Sequence, residues 1–455
     1  MNKSVGNFRW TICSLLFFAT TINYLDRQVL SLLAPELCEI FGWSNNDYAN
    51  ITAVFQFVYA ISLLFAGRFI DKVGTKAGFA ISIIIWSLGA IMHAHALAVG
   101  EVSNSILTTL GLASIPISIL GFMISRTILG IGEAGNFPAA IKTTAEYFPK
   151  KERALATGIF NSGSNIGAIL APLSVPWLSK NYGWEATFII IGGIGFLWLF
   201  FWFWLYKTPE QQNKLSAEEL EYIRSDVDKT VDQKDDILHS KKVSWSQLLC
   251  YRQTWAFTLG KFLTDGVWWF FLFWLPKYLE SSYQISSTDL ALPLSVLYSM
   301  TMVGSICGGW LPMYFINKGA LPYDGRMKAM FIIALFPLAT LLAQSLGNFG
   351  YWIPVLLIGI GASAHQAWSA NIFTTVSDMF PRKIVASVTG IGGMAGGIGG
   401  VIVSKVSGLL FDHYEKLGHL ETGYTIMFAY CGIAYLLAWA IMKLLVPKYR
   451  PVQNL

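Results

Sequence analysis

Long apolar runs separated by short polar or basic clusters recur along the whole chain. They predict membrane-spanning helices at about 10–33, 47–68, 77–97, 114–145, 153–180 and 185–207, and a second set at about 251–280, 290–316, 327–346, 351–379, 385–411 and 422–446. Most exceed the ~20 residues needed to cross the hydrocarbon of a bilayer. The stretch 98–116 fits neither a span nor a plain loop and is expected to add a short helix outside the membrane. Only one segment breaks the apolar pattern for long. Thr208 to Ser244 is polar and of mixed charge, and it separates six predicted helices from six. The expected organisation is a six-helix bundle over 1–207, a linker over 208–250 carrying a short amphipathic helix, and a second six-helix bundle over 251–455. The fold class is therefore an all-α membrane protein of twelve transmembrane helices in two pseudo-symmetric bundles.

Composition supports this reading. Of 455 residues, 54% are hydrophobic and only 13% charged, about half the charged share of a soluble domain. Glycine (41) and aromatic residues (15%) are abundant, as where helices pack closely in lipid and rings sit at its interface. The five cysteines are scattered with no CxxC spacing, so neither a disulfide framework nor a metal site is expected. The first apolar run is long and contains Asp26 and Arg27, and reads as a retained span rather than a cleaved signal. The net charge of +5 fits loop asymmetry better than nucleic-acid binding. Lys3, Arg9, Arg68, Lys72, Lys76, Lys150, Lys151, Arg153, Lys318, Arg326, Lys328, Arg382, Lys383, Lys443, Lys448 and Arg450 fall in loops on one side, against Lys180, Lys277 and Lys416 on the other. Both termini and the linker are thus expected in the cytoplasm.

The halves repeat weakly. EYFPKKERALATG (146–158) aligns with DMFPRKIVASVTG (378–390), putting Glu146 on Asp378 and Gly158 on Gly390. Repeats of six helices around a central cavity are a common transporter architecture. The glycine-rich run Gly390 to Gly400 has no preceding strand and no following Lys-Ser/Thr, so it reads as a packing and bending segment, not a nucleotide loop.

Several blocks carry a resemblance. The loop after the second helix, Gly67-Arg-Phe-Ile-Asp71-Lys72-Val-Gly74-Thr-Lys76, fits G-x-x-x-D-[RK]-x-G-x-[RK]. Its glycines allow a tight turn and close helix approach, and Asp71 can cap a helix or pair with a neighbouring cation, a latch that opens during a transport cycle. The motif is similar to that of the major facilitator superfamily, and the twelve-helix pattern agrees. Asn23 to Arg27, Arg126 to Pro138, Gly158 to Gly167 and Ser363 to Asn371 resemble its anion:cation symporter branch. The last two blocks, with Ser377 to Lys383, are most similar to bacterial hexuronate transporters.

Ionised side chains within the bilayer cost ~2.5–3.5 kcal/mol on insertion scales, so they tend to face a cavity, pair or lose their charge. Asp26 and Arg27 on the first helix, and Arg126 and Glu133 on the fourth, are such residues. At the helical rise Asp26 lies ~24 Å from Trp10 and Glu133 ~20 Å from Glu146, which puts both near mid-membrane. Arg126 and Glu133 share one face, ~10.5 Å apart. An organic anion calls for Arg, which grips carboxylates with two parallel donors, and proton coupling calls for a buried carboxyl group that can change charge state. The resemblance implies Arg27 at the substrate carboxylate, Asp26 and Glu133 as proton carriers, and Arg126 modulating Glu133; a static ion-pair set is the competing reading. Sugar hydroxyls need further partners. Tyr24, the mid-helix Tyr59, and Asn161, Ser164 and Asn165 on the fifth helix are candidates. Tyr59 matches a substrate-contacting tyrosine of the family, and relatives carry Gln where Ser164 stands, a departure that fits a substrate other than an aldonate. The polar fifth-helix residues also read as helix-packing positions. His365 is the repeat mate of Glu133, ~22 Å from Phe380. With Gln366, Ser369 and Asn371 it supplies a second half of the site, or it bonds a neighbouring carbonyl. Lys261 and Asp265, i and i+4 on the seventh helix, read first as an intrahelical pair. Trp268 and Trp269 either line the cavity or anchor at the interface.

The expected function is a proton-coupled symporter importing a sugar-acid anion, glucuronate or galacturonate, by alternating access across a bacterial inner membrane. It is expected to work as a monomer, with no cofactor, no metal and no nucleic-acid partner. The runner-up is another organic anion: an aldonate, an oligouronide breakdown product or an aromatic acid. A membrane enzyme or receptor is the distant alternative. No nucleophile–base arrangement or nucleotide motif supports it.

Overall fold

A computed structural model describes residues 6–111, 115–224, 245–286, 288–380 and 382–452. The amino-terminal half comprises α1 (Phe8–Phe41), α2 (Asn45–Val73), α3 (Thr75–Met92), α4 (Ala96–Thr109), α5 (Ile117–Glu133), α6 (Asn136–Tyr147) and α7 (Lys150–Leu205). A short linker helix, α8 (Ala217–Ile223), follows. The second half comprises α9 (Arg252–Tyr283), α10 (Ala291–Asn317), α11 (Pro322–Leu335), α12 (Trp352–Met379), α13 (Arg382–Lys416) and α14 (Leu420–Leu445).

Eight stretches are long and apolar enough to cross a membrane by length and composition. One of them, Ala156–Leu205, is two antiparallel spans, because Gly183 adopts φ 85°, ψ 163° in the middle of α7 and reverses the chain: Ser179 meets Glu36 at one end of α1, and Trp198 then donates to the Leu15 carbonyl on the way back. The fifth and sixth predicted helices are thus both present, joined by a turn at Gly183. The helices that fall short, α1, α9 and α12, are those diluted by Asp26 and Arg27, by Lys261 and Asp265, and by His365 and Gln366. With these, the bundle has twelve crossings.

Three boundaries differ from the sequence expectation. The third helix does not stop near residue 97: a 3-10 turn at His93–His95 carries it into α4. The fourth breaks at Ala134–Gly135, where the Gly132 and Gly135 positions press on Trp86 and Ser82 of α3. The ninth passes from α11 into a 3-10 segment, Phe336–Leu342, at Pro337, whose ring cannot donate to the helical ladder.

The linker helix is docked rather than solvated. Ser216 caps α8, and buried Glu219 accepts from the Phe8 and Arg9 backbone N–H groups (3.2 and 3.0 Å) and from Arg9 Nη1 (3.1 Å). A carboxylate at the start of α1 satisfies donors that have no partner within the helix. The remainder of the linker, 225–244, lies outside the described residues.

With an even number of crossings in each half, the start of α1, α8 and the end of α14 share one face, here the terminal face; the opposite one is the far face. Between the halves α2 packs along α13, α7 along α10, and α1 against α9. Among the described residues, the side-chain hydrogen bonds joining the halves lie in the middle and at the far face. Asp412 caps the start of α2, accepting from Asn45 N (2.7 Å) and Asn46 N (2.9 Å), while Glu415 accepts from Asn45 Nδ2 (2.7 Å). Lys405 donates to Asn46 and Asn50, Gln56 and Ser404 exchange bonds, and Tyr48 donates to the Phe273 carbonyl (2.7 Å). Toward the terminal face, Gly158, Gly390 and Gly393 have open space where a side chain would stand. The lobes are latched at the far face and spread toward the terminal face.

Candidate functional site

The site is built where α1, α2, α5 and α9 meet. Gly163 and Gly167 of α7 lie against the α1 backbone at Phe17, Thr21 and Tyr24, and Gly130 of α5 lies against Phe55 of α2. These close approaches bring the charged middles of α1 and α5 together. Asp26, Arg27, Arg126 and Glu133 are 1–3% exposed.

Arg27 and Glu133, 106 residues apart, form an ion pair. Arg27 Nη2 lies 2.7 Å and Nε 2.8 Å from the same oxygen, Glu133 Oε2; Oε1 has no partner among the described residues. Four rings surround the guanidinium: Tyr59 at 4.7 Å, Tyr24 at 4.8 Å, and Phe55 and Trp269 at 5.5 Å from its carbon. Cation–π attraction strengthens as water is excluded, so this cage holds the arginine whether or not Glu133 does. Tyr24 lies three residues before Arg27 and shares its helix face. Asp26 points elsewhere, within electrostatic reach of Glu133 and Arg126, and neither of its oxygens has a hydrogen-bond partner among the described residues. Arg126 makes no bond to Glu133. Its Nη1 donates to the Arg27 carbonyl (3.3 Å), its carbon sits 5.4 Å from the Phe55 ring, and Nε and Nη2 have no hydrogen-bond partner among the described residues. Buried polar groups are ordinarily satisfied; here Asn23 Nδ2, Gln28 Nε2 and Asn136 Oδ1 are orphaned as well. Unpartnered polar atoms on Asp26, Arg126 and Glu133, close to Arg27, are what a small polar anion and a proton can use.

Of the remaining expected residues, Tyr24 and Tyr59 join this cluster. Asn161, Ser164 and Asn165 do not bond it among the described residues; Ser164 donates to the Asn161 carbonyl (2.7 Å), and Asn161 is exposed. In the second half, His365 Nδ1 meets Tyr435 OH at 2.8 Å and its ring stacks on Trp268 at 5.1 Å. Its partners are thus a tyrosine and, as expected, a neighbouring carbonyl, that of Thr264 on α9. Gln366 and Ser369 are half-buried beside it. Asn371 donates to the Gly308 and Ala367 carbonyls and ties α12 to α10. Lys261 and Asp265 form the expected intrahelical pair at 2.6 Å.

At the loop after α2, Gly74 takes φ 90° and turns the chain into α3, and Asp71 pairs with Lys142 of α6 at 2.9 Å. Lys76 lies 5.9 Å from the Phe203 ring, Lys72 is exposed, and Gly67 meets nothing. The repeat acids both brace this face: Glu146 accepts from Thr75 (2.6 Å) and Tyr206 (2.5 Å), and Asp378 pairs with Arg326 (2.6 Å).

Sequence reading missed Phe55 and left Trp269 undecided. Phe55 stands four residues before Tyr59, on the same helix face, which is the signal that was available.

Two helical lobes around a buried charged middle define a membrane transporter, not an enzyme. The sequence model of the Major Facilitator Superfamily matches residues 16–404. This chain belongs to that superfamily. It is 29% identical to the hexuronate transporter of Escherichia coli K12 over 97% of this chain and 95% of that protein. It is 32% identical to the galacturonate transporter of Dickeya chrysanthemi over 68% and 83%, and 27% identical to a D-galactonate transporter of Escherichia coli over 90% of each. Among solved structures it superposes on an inward-facing bacterial homolog of the human lysosomal transporter Spinster with TM-score 0.72, at 18% identity and 98% coverage of both chains. A D-xylose–proton symporter gives 0.70 at 16% identity, again with 98% of both chains covered.

Proposed function

We propose that this protein is a proton-coupled symporter that imports a hexuronate, glucuronate or galacturonate, across a bacterial inner membrane by alternating access, as a monomer with both termini in the cytoplasm. The substrates in the names of the three relatives described above, hexuronate, galacturonate and D-galactonate, are sugar acids and support the substrate class. The basic residues of the terminal-face loops support the orientation, which makes the latched far face external and the spread face internal.

One observation carries the mechanism: the Arg27 guanidinium is held by Glu133 inside a cage of aromatic rings. A substrate carboxylate needs the donors that Glu133 now occupies. Glu133 gives them up when it takes a proton, so anion and proton load together. After release to the inside, Glu133 loses its proton and closes on Arg27, which neutralises the empty site for the return. Asp26, buried and without a partner, is the second proton carrier; Arg126 steadies the α1 backbone beside it and biases both acids. Tyr24 and Tyr59 contact the sugar. Asn161, Ser164 and Asn165, with His365, Gln366, Ser369 and Asn371, complete the site as the lobes close. Gly67, Asp71, Lys72, Gly74 and Lys76 form the inner gate loop, where the Asp71–Lys142 pair rearranges.

Uptake of labelled glucuronate by cells expressing the protein, with and without a protonophore, tests this reading. Protonophore-sensitive accumulation is expected. Accumulation indifferent to the protonophore removes the coupling, and absence of glucuronate and galacturonate uptake removes the substrate.

A further inference from the structure

The mechanism above leaves one buried charge pair unused. Lys261 and Asp265 stand one turn apart on α9, with 2.6 Å between Lys261 Nζ and Asp265 Oδ2. Their side chains are 6% and 17% exposed, in the middle of a spanning helix. An intramembrane ion pair is a poor stabiliser, since desolvation offsets the attraction.

Its position is informative. Asp265 is four residues before Trp269, the ring that touches Arg27 and also packs on Phe55 and Tyr59 of the other lobe. Residues i and i+4 share a helix face, so Asp265 and Trp269 look the same way, into the junction of the lobes. At the helical rise, Asp265 lies ~6 Å and Lys261 ~12 Å from Trp269 along the axis, toward the face where the lobes spread. The α13 backbone makes room: a Cβ at Gly396 would lie 2.1 Å from Asp265 Oδ2, and the next residue, Gly397, touches Ala60 of α2. Lys261 Nζ rests 4.3 Å from the Phe373 ring centre. Among the described residues, Lys261 is the hydrogen-bonding partner of the Asp265 carboxylate. A carboxylate offers about four acceptor sites and an ammonium three donors, so the pair retains capacity for both the O–H and the oxygen of a neighbouring hydroxyl.

We propose that Lys261 and Asp265 form the hydroxyl-reading subsite of the transport site. Resting on the function proposed above, this divides the labour between the lobes. Arg27 takes the carboxylate, and the α9 pair takes the polyol edge of the ring, selecting hydroxylated acids over bare ones.

The test measures binding of two probes to the purified protein: glucuronate, and tetrahydropyran-2-carboxylate, which keeps the ring and the carboxylate without hydroxyls. The wild type is expected to prefer glucuronate by at least about tenfold. The double variant Lys261→Met/Asp265→Asn removes both charges together and so strands neither. It is expected to lose most of that preference through glucuronate alone, with the bare acid bound as before, which also shows that the variant is folded. Gly396→Ala, which pushes on Asp265 without changing any charge, is expected to act in the same direction. Variants that keep the wild-type preference, or that weaken both probes equally, overturn the proposal and leave the function standing. A wild type that binds neither glucuronate nor galacturonate overturns the function instead.

Discussion

The two lobes share a fold but not a chemistry. In the first, the middle of the bundle holds two acids and two arginines, one pair closed at 2.7 Å and the rest with unsatisfied atoms. In the second, the position that repeats Glu133 is His365, bonded to Tyr435 and stacked on Trp268, so its polar group already has a partner. Under the proposed function, the difference assigns the change of charge to the first lobe. A site with orphaned donors and carboxylates can take up an anion and protons; a stacked, partnered imidazole has no such slack. On the proposed function, the first lobe takes the carboxylate and the protons, and the second, through Lys261 and Asp265, reads the hydroxyls.

The largest expected effect tests the binding half of that contrast. Arg27→Ala removes the one cation in the aromatic cage, and specific hexuronate binding, read by calorimetry, should vanish. Arg27→Lys should not restore it, because a point charge cannot reproduce the planar fork. Next comes coupling. Glu133→Gln should retain exchange of pre-loaded labelled substrate in proteoliposomes while losing accumulation driven by a proton gradient; His365→Asn, which alters a substrate contact, should raise KM yet still accumulate substrate under a proton gradient. If His365→Asn abolishes accumulation instead, the assignment of coupling to the first lobe is wrong.

Packing offers a third comparison. A Cβ at Gly132 would lie 2.3 Å from the Trp86 backbone nitrogen, and one at Gly308 2.3 Å from the Ala367 Cα. Gly132→Ala and Gly308→Ala should each cost about 1–3 kcal/mol through overpacking, seen as lowered thermal unfolding of the purified protein. Only Gly132→Ala, next to Glu133, should also impair proton-driven uptake in the fraction that folds. The smallest effect belongs to the far-face latch. Asp412→Asn weakens a charged cap worth about 0.3–1 kcal/mol and should raise labelling of native Cys38 from that face by about two- to fivefold, with a membrane-impermeant maleimide as the readout.

Much of this was legible in the chain. Twelve apolar runs around a polar linker gave the two lobes, and four ionisable residues in those runs marked the first-lobe site, because lipid tolerates few such residues without a reason. The pairing was not legible. Nothing in the spacing says that Arg27 reaches Glu133 while Arg126, on the same helix as Glu133, reaches the Arg27 carbonyl instead. That choice is made by how closely α5 approaches α2 and α1 approaches α7, through Gly130, Gly163 and Gly167, and a glycine in sequence does not name what it touches. Likewise the break between the fifth and sixth helices was legible, but not that a single residue, Gly183 with φ 85°, makes the reversal.

Proton uptake on substrate binding is the most direct test of the central claim, that one guanidinium is shared between Glu133 and the incoming carboxylate. Glucuronate is added to weakly buffered purified protein and the protons taken up are counted with a pH indicator. The account predicts uptake approaching about one proton per bound anion through Glu133, reduced in Glu133→Gln. Saturating binding by the wild type with no proton taken up at any pH would contradict it.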